Sequence, residues 1–273
     1  MAMLKSLVIL ILLAVVTIGT ACLTPSQCPS LPHCPLPTNE FDPSQLLSQL
    51  HQESQPFAHF YDDKIAPLGY TIRWFHNPDL PLGTYARTCV NEDHNVTIEL
   101  GNIMPGNDSA YTVAHELASV VIDSEGYKSL VIEQTQCATT GDNLNEMIWT
   151  PLRDSMLAGY SFNVTNEYYT FWLPPLLSAG CGDGNDTIIQ LQNACAYVQL
   201  VLYWRDVLSN HNIPSDVDNR FQQCFPNSWA RGKDILAIIN EAGGYDTPAK
   251  VSAIFQTVLQ EYKDELGGCI CVP

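Results

Sequence analysis

The sequence predicts an α+β domain: a small N-terminal sheet, one apolar helix packed behind it, and a mainly helical C-terminal half. Three observations predict this. Short alternating runs cluster between residues 70 and 100, an apolar stripe at helical spacing follows them, and helical patterns fill the chain from residue 188 onward.

The first residues stand apart from the fold. Lys5 is followed by the apolar run Leu7 to Val16 and then by Gly19-Thr20-Ala21-Cys22. One positive charge, a run of this length and a small-x-small ending describe an export signal over 1–21. Cys22 after Ala21 resembles the lipid-anchor cysteine of a bacterial lipoprotein, although Gly19 stands where such signals carry Leu. Plain secretion and an uncleaved anchor are the alternatives. All three place the body outside the cytoplasm, either held to a membrane through Cys22 or the N-terminal segment, or released. Residues 22–43 hold Pro25, Pro29, Pro32, Pro35, Pro37 and Pro43 with Cys28 and Cys34, the composition of a stiff tether. The remaining 44–273 form one domain: the sheet and apolar helix over about 44–135, the helical part over about 136–273.

Ten cysteines in an exported chain read as disulfides, and the seven from Cys89 onward leave at least one free or paired with the tether. The net charge of −17, with 12 Lys plus Arg against 29 Asp plus Glu, repels phosphates and excludes nucleic acid as a partner. Asn95, Asn107, Asn163 and Asn185 begin glycosylation sequons, which matter only in a eukaryotic secretory host.

Within the domain, the spacing of Leu46, Leu47, Leu50 and Phe57 predicts an initial helix. Tyr70 to Phe75, Tyr85 to Cys89 and Val96 to Leu100 read as strands. Gly101, Pro105 and Gly106 break the pattern, Asp108 or Ser109 caps the next helix, and Leu117, Val120 and Val121 give it a buried stripe that stops near Gly126. A second helix is predicted over Thr140 to Leu157, buried through Leu144, Ile148 and Leu152, with a kink or break at Pro151. Helices follow at Ile188 to Leu208, Lys233 to Glu241 and Pro248 to Leu266.

The chemistry-bearing stretch is His115-Glu116-Leu117-Ala118-Ser119. In an HExxH helix, two imidazoles at i and i+4 reach one Zn²⁺ and the intervening Glu holds a water as general base. Here the i+4 residue is Ser119, a poor and short ligand. Asp123, eight residues on, lies about 12 Å along the helix from His115 and cannot share its ion; it reads as a helix-end group. His94 and His211 read as solvated. Tyr160, Phe162, Tyr168, Tyr169, Phe171 and Trp172 serve either a peptide cleft or the core.

His115-Glu116, the strand Val96 to Leu100 before it and Leu144-Asn145-Glu146 after it together resemble the gluzincin-type zincin metallopeptidases over residues 70 to 160. The resemblance implies a zincin-like fold in which an edge strand precedes the active-site helix. It assigns His115 and Glu146 as metal ligands and Glu116 as the catalytic base. It therefore implies an exported, metallopeptidase-like hydrolase, catalytically impaired by Ser119, that keeps a cleft for peptide or cell-surface polymer with zinc weak or lost. An active zinc peptidase with a replacement ligand and a non-catalytic structural surface module are the other readings. The bland reading of His115 is a satisfied core histidine. On the export reading, the mature chain begins at or near Cys22. Mass spectrometry of the membrane and secreted fractions checks this, and an intact Met1 would contradict it.

Overall fold

A computed structural model describes residues 39–80, 86–90, 95–101, 107–167, 180–208 and 213–273. The export signal, Cys22, His94, His211 and Tyr168 to Trp172 lie outside the described residues. The fold is α+β, as the patterning predicts. No helix among the described residues is long and apolar enough to cross a membrane.

The chain opens with β1 (Glu40–Phe41), then α1 (Ser44–Glu53) and α2 (Gln55–Phe60), which runs on through a π-helical turn at Tyr61–Ile65. Glu40 and Phe41 fall inside the stretch expected to be tether. They pair antiparallel with Phe75 and Trp74, and Arg73 Nη2 lies 2.6 Å from the Glu40 carboxylate. The rest of the sheet is β2 (Ile72–His76), β3 (Ala86–Val90) and β4 (Val96–Leu100), in the order β1-β2-β4-β3. β2 and β4 are parallel, and β3 runs antiparallel to β4. This corrects one expectation. Val96 to Leu100 is an interior strand, buried at all five positions, and the edge beside the next helix is Ala86–Val90. The reason lies in the side chains: β4 carries Val96, Ile98 and Leu100 on one face and Thr97 and Glu99 on the other, and both faces are covered. The buried Glu99 is held by Arg87, its cross-strand partner, and by Asn77 Nδ2, each at 2.6 Å.

α3 (Asn107–Ser124) carries His115. Val113, Ala114, Leu117, Ala118, Val120, Val121 and Ile122 are buried around nearly its whole circumference, because it lies between the sheet and the following helix. It ends in a Schellman turn: Tyr127 N donates to Ile122 O, Gly126 N donates to Asp123 O, and Gly126 takes φ +95°. Asp123 sits in that last turn, 3.3 Å from Lys128 Nζ, as a helix-end group.

After β5 (Val131–Ile132), α4 (Ala138–Gly159) runs unbroken through Pro151. It is the central helix, packed between α3 and the helix Thr187–Leu202. Leu144 and Ile148 are fully buried as the spacing predicts, with Met147, Trp149 and Leu157 beside them. α5 (Val164–Glu167) follows, and the helical half continues with Ser215–Cys224, Pro226–Glu241 and Pro248–Glu261. The short β6 (Ile270–Cys271) returns to pair with β5. Phe162 and Tyr160 pack edge-on against Phe60, so these two members of the aromatic group serve the core.

Two disulfides, Cys137–Cys269 and Cys181–Cys224, tie the start of α4 to the C-terminus and the Thr187–Leu202 region to Ser215–Cys224. Cys89 and Cys271 are disulfide-bonded as well. The set is consistent with an oxidising environment. Cys195 is the free, buried thiol among the described residues, and burial pushes its pKa up to about 12. At pH 8 it therefore carries almost no thiolate. Alkylation of the folded protein at pH 8 is expected to leave Cys195 unmodified, and alkylation in urea to label it, as read by peptide mass spectrometry.

Candidate functional site

The site lies where α3 meets α4 and the edge strand β3. Thr88 and Ile98 are paired across β3 and β4, so they share a sheet face, the one covered by α3. From there Thr88 Oγ1 donates to Glu116 Oε2 at 2.6 Å, with the Glu116 backbone carbonyl 3.2 Å away. Glu116 is 8% exposed, and the strand hydroxyl is what holds its carboxylate.

One residue earlier, His115 turns toward α4. Its Nδ1 is 3.0 Å from Asp154 Oδ1, and Tyr111, one turn before it on α3, donates to the same oxygen at 2.7 Å. Asp154 is 1% exposed. A carboxylate can only accept, so Nδ1 is the donor in this bond. A carboxylate behind Nδ1 is the arrangement that orients a metal-binding histidine, and it equally satisfies a core histidine.

Ser119 and Glu146 are joined by one residue, Arg153. Its Nη1 donates to Ser119 Oγ at 3.0 Å; its Nη2 donates to the Glu146 carboxylate and, at 3.2 Å, to Thr150 Oγ1. Thr150 in turn donates to Glu146 Oε2 at 2.6 Å. Glu146, Thr150 and Arg153 stand at i, i+4 and i+7 of α4, one stripe of the helix. The Arg153 side chain is 8% exposed and that of Glu146 44%. Burial works against the guanidinium charge, but Glu146, Glu116 and Asp154 outweigh it and raise the Arg153 pKa.

Of the residues picked out from sequence, His115, Glu116, Ser119 and Glu146 thus reach one interface, but not as a ligand set. His115 bonds to Asp154, and Glu146 reaches α3 through Arg153. Asn145 supports the scaffold instead, its Oδ1 accepting from the Leu130 amide at 2.9 Å. A zinc ion needs three protein donors at about 2.0–2.2 Å around open space. Two of the three positions here are hydrogen-bonded to a positive guanidinium, which repels a dication, so the residues present do not fit the ion. Among the described residues no group of three His, Cys, Asp or Glu is placed to hold one either.

Sequence reasoning missed Arg153, Asp154, Tyr111 and Thr88. The stripe Glu146, Thr150, Arg153, at helical spacing within the predicted helix, was the available signal. No family model, no curated protein and no solved structure matches this chain.

Asp154 answers two groups at once, so its removal leaves the Tyr111 hydroxyl and His115 Nδ1 without that acceptor. Asp154→Ala is expected to cost about 3 kcal/mol of stability in urea unfolding, and Asp154→Asn, which keeps an acceptor oxygen, distinctly less.

Proposed function

We propose that this chain is an exported zincin-like protein of the metallopeptidase type that has lost catalysis and uses its cleft to bind extended peptides. One observation carries the reading: the His115-Glu116 face of α3 is bonded to an edge strand. Thr88 ties Glu116 to β3, and among the described strands β3 pairs with β4 alone. A strand edge beside a helix face offers a peptide main-chain hydrogen bonds on one side and side-chain contacts on the other. The net charge of −17 favours cationic segments. Ser119 and the Arg153 contacts account for lost turnover, because Glu116 acts as a base only toward an ion-bound water. The disulfides suit a protein that works outside the cytoplasm, on secreted peptides or at a cell surface.

The test is fluorescence anisotropy of the purified domain with labelled, unstructured Lys- and Arg-containing peptides at low and high salt, followed by chromatography of the peptides. The expected result is a saturable, salt-weakened rise with every peptide recovered intact. Absence of saturable binding would remove the peptide reading. Cleavage abolished by a chelator would establish an active zinc peptidase instead.

A further inference from the structure

We infer that the guanidinium of Arg153 is the resident cation of this site: it stands where a divalent ion would sit, balances the same carboxylates, and shuts the site to metal. The inference rests on the zincin reading of His115, Ser119 and Glu146.

Connectivity is the first support. The guanidinium does not merely lie near the ligand positions; separate nitrogens bond two of them, Nη1 the residue at i+4 of the helix and Nη2 the carboxylate on α4. An ion bridging α3 to α4 would make the same two links.

Charge is the second. Glu116 is buried, and its carboxylate receives one hydrogen bond among the described residues, from Thr88. A buried carboxylate held by a single hydroxyl is costly without a nearby positive charge. Glu146 adds a second negative group and Asp154 a third, the latter shared with His115. Arg153 is a cation set among these carboxylates, and they in turn favour its charge.

The third support is an imperfection. Arg153 Nε is buried and finds no acceptor among the described residues, as is also true of Arg231 Nη1. A guanidinium in a pocket shaped for it uses the full fork of donors, because a buried N–H left unpaired is destabilising. Here the two terminal nitrogens are served and the inner one is not.

An ordinary interhelical ion pair would share the first support but would not predict that removing Arg153 opens the site to zinc. Zinc chloride titration by calorimetry and Co²⁺ absorption spectroscopy are to be run on the wild type, on Ser119→His, and on Ser119→His combined with Arg153→Met. The wild type and Ser119→His are expected to take no stoichiometric metal. The double variant is expected to bind one Zn²⁺ per chain, about 100-fold or more tighter than Ser119→His, with Co²⁺ bands of a four-coordinate site. Its melting temperature should rise with zinc where that of the wild type does not.

If Ser119→His alone binds as tightly as the double variant, or if the wild type takes one zinc, Arg153 is not in the ion's place. A double variant that is folded by circular dichroism and takes no metal overturns the inference too. Should the methionine variant fail to fold without metal, Ser119→His with Arg153→Gln, which keeps a donor toward Glu146, replaces it; failure of both to fold even with zinc present also counts against the inference. The peptide-binding reading fails separately. A double variant that loads zinc in a protein that captures no peptide upholds the cation and removes the cleft function, and the reverse result does the opposite.

Discussion

α3 and α4 are each buried around most of their surface, yet they meet through charge. Asp154 takes His115 and Tyr111, and Arg153 takes Ser119 and Glu146. Buried pairs of this kind add little net stability over well-packed apolar groups, while breaking one leaves a charge stranded in the interior. Their effect is to set register. A slip of one turn would leave Asp154 without Nδ1 and the Tyr111 hydroxyl, and would pull Arg153 from the Ser119 oxygen, each at the cost of an unpaired buried group. The apolar residues along α3, mostly Val, Ala and Leu, would tolerate several registers by packing alone. Because α4 is also the helix on which Thr187–Leu202 packs, the choice made at this interface passes into the helical half.

Periodicity made most of this fold legible. Val96, Ile98 and Leu100 alternate as a strand must, and Leu117, Val120 and Val121 repeat as a helix must, so both elements fall where the pattern puts them. Gly126 marks the end of α3 for a local reason: the Schellman turn needs a residue at positive φ there. The errors arose where tertiary burial outweighed a local signal. Proline inside a helix costs about 3 kcal/mol, yet Ile148, Trp149, Thr150, Pro151, Arg153 and Asp154 are all buried, and packing on both sides carries the helix through. Glu40 and Phe41 read as tether because two residues cannot show a period; their pairing with β2 decides their conformation. That β4 is interior and β3 the edge is a matter of strand order, which alternation along one strand does not encode.

The candidate site divides along the same line. His115, Glu116 and Ser119 were visible because their meaning lies in spacing along a single helix. Asp154 and Arg153 stand 39 and 34 residues from the groups they hold, and their roles depend on how two helices pack. Glu146 falls between: its position on α4 could be read from the chain, but its partner could not.

The residues at 119 and 153 explain each other. Ser119 is short: its hydroxyl ends one bond beyond Cβ, and the guanidinium approaches to 3.0 Å of that oxygen. An imidazole on the same Cβ would crowd Nη1, and a dication beside the guanidinium would be repelled by it. Without a cation here, the buried Glu116 and Asp154 and the part-exposed Glu146 would lose a partner that favours their charge. The chain has 12 Lys plus Arg against 29 Asp plus Glu. It commits one of these few cations to this interface, where Glu146, Glu116 and Asp154 favour its charge.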